Sequence, residues 1–431
     1  MNSRWSKSAM SAAADLLGWL DASTLLVLAV SFLLAYRWLR FPRNLPPGPA
    51  GAPLIGYVPW LGKHPYLTFT ELTRTYGDVF TCWFGPVPVI AVNGFEATQE
   101  LLVTRGHDFM DRPIANAMAV ILESDKGIVF NPYGDKWRKL RRLTLSALRD
   151  FGMGKASLEE KVLEEMEAVT EEFMATQAKP FNPKRIFKNA ASNVICSINF
   201  GSRYQYTDPK FQQLLDFNDF FFSQPVQGGI ETFLPFLAPL FLRIPGSRFH
   251  KLLAGSKQLE GFINEIIEEH RNSYDESNIR DFIDIFLKYT MDAEKESPNM
   301  KECEFTTDNL FHMIMDVFGA GTETTATSFA WLFLYMTAFP DVQRKVQQEI
   351  DEVIGQGRRP CLKDRERLVY MDAVVRVQRH ATCTIHSPHR AVEDTTFRNY
   401  NVPRAAMIMV NLWSVHRDGR YWRPTIYPDA G

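Results

Sequence analysis

The sequence predicts a mainly α-helical protein of the α+β class, with a large helical region, a small β region and an N-terminal membrane anchor. Three observations predict this fold. A charge-free apolar run lies near the N-terminus, several long segments repeat apolar residues with helical spacing, and a few short segments have the composition of strands. With 431 residues, the chain is long enough for one large enzyme domain.

Composition excludes several classes of protein. The chain has 48 Lys and Arg residues against 50 Asp and Glu residues, and this near-neutral balance predicts no nucleic-acid partner. The cysteines are widely spaced and form neither a CxxC motif nor a Cys/His zinc pattern, which predicts free thiols in a reducing compartment and no zinc site. The five cysteines are Cys82, Cys196, Cys303, Cys361 and Cys383.

The first predicted element is a transmembrane anchor at residues 22–39, which follows a short N-terminal segment of residues 1–21. A helix of about 17 to 25 apolar residues spans a bilayer, and the run from Ala22 to Tyr36 carries no charge. Arginines cluster at the far end of this run, which predicts that the rest of the chain faces the cytosol. A cleaved signal peptide is the alternative, but no small-residue cleavage site follows.

The anchor is followed by a proline-rich segment, residues 40–53, which predicts a stiff, extended hinge between the membrane and a globular domain. No internal repeat, low-complexity linker or second proline-rich break follows it. We therefore predict that residues 54–431 form one domain.

Strand-like segments lie near both ends of this domain. The segment from Val79 to Gly94 has two apolar runs that flank Gly85 and Pro86, which predicts a β-hairpin. Near the C-terminus, residues 395–403 and 405–415 have the composition of short strands. These segments form the predicted small β region.

Most of the intervening chain is predicted to be helical. Apolar residues recur on one stripe between Asp341 and Ile354, where Pro340 supplies a start signal and Gly355 a stop signal. The charged segment from Leu158 to Phe173 and the apolar segment from Thr307 to Thr337 also have helical patterns.

The segment from Phe217 to Gly246 is rich in aromatic residues and is broken by prolines and glycines. It is either a core segment with irregular turns or a mobile apolar flap that covers a ligand entrance and touches a membrane.

The stretch FGAGTETTATS, residues 318–328, places small and polar residues in the middle of the apolar helix. Thr324 lies four residues after Ala320, so its hydroxyl can bond the Ala320 carbonyl and bend or open the helix. A flat ligand can then lie against Ala320 and Gly321, while Glu323 carries protons to it. On these residues alone, the alternative is a small-residue packing face with an acid at the surface.

Two further motifs contain candidate binding residues. Trp137 and Arg141 are four residues apart, so an indole N–H and a guanidinium lie on one helical face and can bind ligand carboxylates, although an ordinary basic helix has the same pattern. His389 precedes the C-terminal strands, where a lone histidine is more often structural. A phosphate loop at residues 151–157 is excluded, because Arg149 stands where such a loop requires glycine.

Taken together and in order, several of these motifs resemble the cytochromes P450, the haem-thiolate monooxygenases, and in particular their animal microsomal family 2-like branch. The resemblance covers nearly the whole chain to about Trp422. It rests on LPPGPAGAPLIG, DRP, GDKWRKLRRL, FGAGTETT, PHRAVEDTTFRNYNVP and VNLWSVHRD. It implies a cytochrome P450-like fold with a haem cofactor.

The resemblance also implies an activity and its partners. Such a protein hydroxylates lipophilic small molecules, such as fatty acids, steroids or xenobiotics, with O2 and electrons from an NADPH-dependent reductase flavoprotein. It lies on the endoplasmic reticulum membrane, with its globular domain in the cytosol.

The roles of the candidate residues follow from the same resemblance. Glu323 and Thr324 are implied as the catalytic proton-relay and oxygen-positioning residues, and Ala320 and Gly321 as residues that lie against the haem. The residues implied to hold the haem propionates are Trp137, Arg141 and His389. The segment from Phe217 to Gly246 matches the substrate-access region.

Two features depart from the family pattern. None of the five cysteines lies in the family's FxxGxRxCxG iron-ligand loop, so the expectation is a C-terminally truncated domain with no metal ligand of its own. The family's ExxR glutamate is replaced by Arg376, three residues before Arg379, and we expect Asp372 to pair with Arg376. The alternative function is therefore a catalytically inactive truncated or mis-assembled product that keeps only an apolar cavity.

Overall fold

The computed structural model describes residues 24, 27, 31, 43–52, 55–113, 123, 126–151, 156–223, 238–296, 305–382 and 384–422. The predicted anchor, residues 22–39, lies outside this part of the chain except for Thr24, Val27 and Ser31. Within the described residues, no helix combines the length and the apolar character needed to cross a membrane.

The described part of the predicted hinge, residues 43–52, lies against the domain. The backbone N–H of Thr81 donates to the Pro47 carbonyl at 3.0 Å, and that of Asn401 donates to the Asn44 carbonyl at 2.8 Å. The side-chain amide of Asn44 also donates to the Asn399 carbonyl at 2.9 Å. This part of the segment is therefore attached to the folded domain and is not a free spacer.

Helices account for most of the described chain, as predicted. In chain order they are α1 (Pro65–Tyr76), α2 (Phe95–Gln99), α3 (Asp135–Asp150), α4 (Ala156–Ala175), α5 (Lys184–Asn199), α6 (Pro209–Phe222), α7 (Ala238–Arg243), α8 (Arg248–Asn272), α9 (Phe282–Glu296), α10 (Thr307–Ala338), α11 (Pro340–Val353), α12 (Val369–Thr382) and α13 (Leu412–His416). Short 3-10 or π turns lie at Val58–Trp60, Glu100–Thr104, Gly106–Phe109 and Leu362–Glu366.

Three of these helices confirm specific predictions. Helix α4 contains the charged segment, and α10 contains the long apolar segment with its small polar centre. Helix α11 begins at Pro340, as its start signal predicts, and Gly355 follows its end. Thr306 caps α10, because its hydroxyl accepts the backbone N–H of Asn309 at 3.2 Å.

The small β region consists of two sheets. Strands β1 (Val79–Phe84), β2 (Val87–Val92), β6 (Met407–Val410) and β3 (His389–Arg390) form the first sheet, in the order β1-β2-β6-β3. Strands β1 and β2 pair antiparallel with Phe84 opposite Val87, which confirms the predicted hairpin. Strands β4 (Thr395–Phe397) and β5 (Tyr400–Val402) form the second sheet.

One strand prediction was wrong in part. In residues 405–415, only Met407–Val410 is a strand, and Leu412–His416 forms helix α13. The strand ends at Asn411, whose buried side-chain amide donates to the Tyr66 carbonyl and the Thr70 hydroxyl, each at 3.0 Å. These bonds fix Asn411 against α1, and the chain turns into a helix after it.

The main hydrophobic core is formed by the central helices. Leu140 of α3, Phe211 of α6, Ile263 of α8, Phe286 of α9 and Phe318 of α10 are all almost fully buried in it. Truncating a phenylalanine in such a core to alanine costs about 3–5 kcal/mol. Because the first half of α10 is anchored in this core, the position of its small polar centre is fixed.

Candidate active site

The small polar centre of α10 has a buried face and an open face. Phe318, Thr322 and Ala326 are buried, whereas Ala320 and Thr324 are exposed. Residues four apart lie above one another on a helix, so the exposed pair forms a continuous strip. We refer to Ala320 and Thr324 as the open strip.

The predicted bond between the two strip residues is confirmed. The Thr324 hydroxyl donates to the Ala320 carbonyl at 2.7 Å. However, α10 continues without interruption from Thr307 to Ala338. The prediction that the helix opens at this point was therefore wrong. A carbonyl oxygen has two lone pairs and can accept both the hydroxyl and a helical N–H, so the helix tolerates the extra bond.

Gly321 faces a neighbouring helix. A Cβ atom at this position would lie 2.5 Å from Cδ1 and 2.7 Å from Cγ1 of Ile195 in α5. On the same interface, the Ser192 hydroxyl donates to the Thr322 hydroxyl at 3.1 Å. The missing side chain of Gly321 is therefore explained by close packing of α5 on α10, and its predicted contact with a flat ligand stays a prediction.

Glu323 also faces α5. Its carboxylate pairs with the buried Lys188, and its Oε1 atom lies 3.8 Å from Nζ of Lys184. The Thr327 hydroxyl donates to Oε1 at 3.3 Å. The two predicted catalytic residues thus have separate partners, because the Thr324 hydroxyl bonds the Ala320 carbonyl and Glu323 bonds α5.

Trp137 and Arg141 lie on α3 as predicted, with the guanidinium carbon of Arg141 at 5.3 Å from the centre of the Trp137 ring. The indole N–H of Trp137 donates to the Ile128 carbonyl at 2.9 Å. In this structure the indole therefore bonds the protein backbone, and its predicted contact with a ligand carboxylate stays a prediction. The Arg141 side chain is exposed.

Asp316 connects this segment to α10. One carboxylate oxygen, Oδ2, accepts the backbone N–H groups of Ile128 at 2.7 Å and Val129 at 3.0 Å. Desolvation raises the pKa of Asp316 to about 6, although the two N–H donors oppose the shift. Gly127, at φ +68°, allows the backbone before Ile128 to approach the Asp316 carboxylate, since a Cβ on Gly127 would lie 2.5 Å from Oδ2. Trp137 is thereby tied to α10 one turn before Ala320.

His389 is buried in β3. Its Nδ1 lies 2.7 Å from the Phe109 carbonyl oxygen and its Nε2 lies 3.3 Å from Nδ1 of His386. Burial lowers the pKa of His389 to about 4, and the positive charge of Arg112 adds to this shift. The ring is therefore neutral at physiological pH and lies beside a guanidinium.

Arg112 is a residue that sequence reasoning missed. Its guanidinium donates to the Pro388 carbonyl at 2.9 Å, which ties it to the segment before β3. Burial lowers its pKa, and so does the charge of Arg141. Among the described residues, no carboxylate lies within ion-pair distance of Arg112 or Arg141. The only sequence signal is the position of Arg112 in DRP, which does not distinguish a ligand-binding arginine from a structural one.

The expected pairing in α12 is confirmed. The Arg376 side chain donates to Asp372 at 2.6 Å, and Arg365 lies 3.3 Å from the same carboxylate. Hydrogen bonding from Arg376 lowers the pKa of Asp372 despite some desolvation.

None of the described cysteines lies on α10. Cys82 is buried in β1 and Cys196 in α5, and burial raises the pKa of the first to about 12 and of the second still further. Cys361 caps the turn at Leu362–Glu366. Cys303 and Cys383 lie outside the described residues.

Comparison with known proteins decides the family. The family model described as "Cytochrome P450" matches residues 46–425. The chain belongs to the cytochrome P450 family. It is similar to "Cytochrome P450 2U1" of Mus musculus, with 37% identity over 92% of this chain and 78% of the relative. It is also similar to the human proteins "Cytochrome P450 2C8" (38%, over 95% and 83%) and "Cytochrome P450 2J2" (36%, over 94% and 81%).

This cytochrome P450 is accordingly a haem-dependent monooxygenase of lipophilic small molecules, and these relatives do not favour the catalytically inactive alternative. When bound, the haem supplies the iron that activates oxygen. The open strip fits one face of a flat macrocycle because it presents only a methyl group and a threonine. Among the described residues, no carboxylate forms an ion pair with Arg112 or Arg141, so their guanidinium groups fit the two propionates.

Proposed function

We propose that this cytochrome P450 hydroxylates apolar molecules such as fatty acids, steroids or xenobiotics at the endoplasmic reticulum membrane, with electrons from an NADPH-dependent reductase flavoprotein. The observation that carries this proposal is the open strip of Ala320 and Thr324, which lies one turn after the Asp316 contact that ties Trp137 to α10. The strip and a group of cationic side chains thus belong to one region of the fold.

The propionate-binding residues in this proposal are Arg112, Arg141 and His389, with Trp137 beside them. Guanidinium groups form charge-assisted bonds with carboxylates, and a bound propionate would relieve the repulsion between the two arginines. His389 would contribute a ring nitrogen, and His386 already lies 3.3 Å from that nitrogen. Trp137 would have to exchange its bond to the Ile128 carbonyl for one to a propionate.

Thr324 and Glu323 are the proposed catalytic residues. The Thr324 hydroxyl donates to the Ala320 carbonyl, so its lone pairs stay available to accept a hydrogen bond from a small species at the strip. Glu323 is the proposed proton donor, and it can reach the strip only after it leaves its partners on α5.

The membrane part of the proposal consists of an anchor at residues 22–39 and a cytosolic domain from residue 54. The attachment of residues 43–52 to β1 and β5 supports it, because the domain would then be held at a fixed orientation close to the anchor. The described part of the access segment gives further support. Leu240 in α7 is 54% exposed and Ile244 is 41% exposed, as expected for side chains that touch a membrane.

The other end of the access segment behaves as core. Phe217, Phe220 and Phe221 of α6 pack against Phe249 and Leu252 of α8. The flap interpretation therefore applies to the portion after Phe222, of which residues 224–237 lie outside the described part of the chain.

Carbon monoxide binding tests the proposal. The full chain is expressed in membranes, loaded with haem, reduced and exposed to carbon monoxide. We expect a Soret band from bound haem that shifts when carbon monoxide binds, together with hydroxylation of a fatty-acid, steroid or xenobiotic panel when the reductase is added. A haem spectrum that does not respond to carbon monoxide, together with no product from any substrate class, would favour the inactive alternative.

A further inference from the structure

Asn218 is a polar residue on the side of α6 that packs into the core. The side chains of Phe211 and Leu215 on this side are almost fully buried, and Asn218 is only 4% exposed. Residues three and four apart share one face of a helix, so an apolar residue is expected at position 218. Core packing therefore does not explain why an asparagine is present there.

The side-chain nitrogen of Asn218 has no hydrogen-bond partner among the described residues. Its Nδ2 atom is buried, and no acceptor in the described part of the chain lies within hydrogen-bond distance of it. An amide nitrogen carries two donors, and a buried donor without an acceptor lowers stability. A residue that lowers stability in this way is typical of a binding site, where a ligand supplies the missing partner.

The Asn218 side chain lies against α10, beside the open strip. A Cβ atom on Gly319 would lie 3.5 Å from Oδ1 of Asn218 and 3.6 Å from Cε2 of Phe222. These are ordinary van der Waals distances, so the glycine leaves a space about the size of a methyl group between α6 and α10. Gly319 directly precedes Ala320, the first residue of the open strip. We refer to the space between Asn218, Phe222 and Gly319 as the amide notch.

The charged residues next to the amide notch are already paired. Asp219, the next residue on α6, pairs with Lys188 and Arg185. Glu323, one turn after Gly319 on α10, also pairs with Lys188. Burial of an ionised ligand group requires an opposite charge, and one neutral amide does not compensate for its loss of water. The notch therefore suits an uncharged oxygen atom, such as that of a carbonyl group.

We propose that Asn218 is a specificity-determining residue whose side-chain amide donates a hydrogen bond to an uncharged oxygen of the substrate, so that this protein prefers apolar molecules with a carbonyl group. The proposal rests on the proposed function, because the substrate has to lie at the open strip while its oxygen enters the amide notch. A ketone supplies an acceptor for Nδ2, whereas a hydrocarbon of the same shape leaves the buried donor unsatisfied.

The first test compares two ligands that differ by one carbonyl oxygen. Calorimetry measures the dissociation constants of cyclooctanone and cyclooctane for the haem-loaded full chain. We expect the ketone to bind about fivefold or more tightly, because it makes one additional hydrogen bond to a buried donor. N218L and N218A should each reduce this preference to less than about twofold, chiefly by weakening ketone binding.

The control is N272L, which replaces an exposed asparagine at the end of α8 and should leave the preference unchanged. A preference for the ketone that persists in both Asn218 variants would overturn the proposal, since the oxygen would then bind elsewhere.

The second test fills the amide notch. G319A adds a methyl group at ordinary distances from Asn218 and Phe222, so the variant should fold. It should weaken cyclooctanone binding by about fivefold or more and change cyclooctane binding by less than about twofold, because only the ketone places an oxygen in the notch. Equal effects on both ligands would overturn the assignment of the notch to the carbonyl group.

A third ligand tests the preference for an uncharged oxygen. Cyclooctanecarboxylate should bind at least about fivefold more weakly than cyclooctanone, because its burial leaves a charge uncompensated. Tighter binding of the carboxylate, lost in N218L, would show that the notch takes an anion and would overturn this preference.

These dissociation constants do not depend on product formation. If the chain prefers cyclooctanone through Asn218 but forms no product with the reductase, the proposed function fails while the role of Asn218 in binding stands.

Discussion

Arg112 lies close enough to Arg141 for that positive charge to lower its pKa, together with the larger effect of burial and against the charge of Asp111. Among the described residues no carboxylate forms an ion pair with either arginine, so an anion bound between them would reduce their repulsion. We therefore expect R112A and R141A each to weaken haem binding by about 12-fold to 150-fold, since a hydrogen bond to a charged group contributes about 1.5–3 kcal/mol. Haem titration followed at the Soret band measures the effect.

The matched control for these variants is R142A, because Arg142 is an exposed arginine adjacent to Arg141 on the same helix. It should bind haem as the unmodified chain does. Urea unfolding of the haem-free protein should show a loss of at most about 1 kcal/mol in R141A, because the lost contact with the Trp137 ring is offset by the removal of repulsion from Arg112. Equal haem affinity in R141A and R142A would contradict the assignment.

The Asp316 carboxylate should make stability depend on pH. The pKa of this group is raised from 3.8 to about 6. Its contribution to the free energy of unfolding is therefore fully present below pH 3.8 and is lost as pH rises through about 6. A shift of this size corresponds to at most about 3 kcal/mol. D316N should remove this loss, because an amide oxygen can still accept the N–H groups of Ile128 and Val129. Urea midpoints between pH 4 and pH 7.5 measure the difference.

The control for Asp316 is D316A, which leaves the two N–H groups without their acceptor. Relative to D316N, it should cost about 1–3 kcal/mol for an unsatisfied donor at every pH in this range, because neither variant titrates at this position. A stability curve for D316N that is parallel to that of the unmodified chain would contradict the prediction.

His270 should also make stability fall as pH rises, but at a higher pH than Asp316. Burial lowers its pKa, but the hydrogen bond and charge of Asp281, at 2.7 Å from Nε2, outweigh burial, so the net shift is upward from 6.5. Its stabilisation is therefore fully present below pH 6.5 and is lost as pH rises through the higher pKa of the folded state. H270Q should remove this dependence, as measured by urea midpoints from pH 5.5 to pH 9.

The exposed His64 supplies the comparison, since H64Q should leave the pH dependence intact. Because His270 Nδ1 also bonds the Ile266 carbonyl at 2.8 Å, H270Q should lower stability at acidic pH. If stability in H270Q still falls between pH 6.5 and pH 9 as in the unmodified chain, another group is responsible.

Packing of α5 and α6 on α10 predicts different effects at two glycines. G321A should destabilise the protein by about 1–3 kcal/mol, because its new methyl group would overlap Ile195. G319A should be neutral or stabilising by up to about 1 kcal/mol, since a Cβ there lies 3.5 Å from its nearest neighbour and alanine favours a helix. Thermal unfolding of both variants measures the difference.

The reverse experiment uses the neighbour. The double variant I195A/G321A should lose less stability than the sum of the losses in the two single variants, because I195A removes the atoms that the new methyl group meets. A loss in G321A that I195A does not reduce would show that the glycine has another role.

Local relationships were predictable from the sequence. The bond from Thr324 to the Ala320 carbonyl and the pairing of Asp372 with Arg376 both join residues four apart on one helix, so helical periodicity places the partners together. The hairpin at residues 79–92 follows in the same way from a turn between two apolar runs.

The remaining relationships join distant parts of the chain. Ile195 explains Gly321, and Lys188 holds Glu323, but nothing in the pattern of α10 indicates which helix covers it. Likewise, Arg112 becomes a candidate binding residue only because the fold places it near Arg141. The sequence pattern predicted helices and motifs, whereas tertiary packing decides which face of each motif meets protein and which stays open.

In helix α10, neighbouring residues contact different surroundings because they point in different directions around the helix axis. Ala320 and Thr324 face outward, Gly321 meets α5, and Glu323 meets Lys188. One residue inserted or deleted between Asp316 and Ala320 would rotate the following residues by about 100° around the helix axis, relative to the residues before the change. The side chains of Ala320 and Glu323, and the space that Gly321 leaves for Ile195, would then point in other directions, although every residue would still be present. The site therefore depends on the angular position of each residue around the helix axis. A change in the length of the helix can abolish the site without any substitution in it.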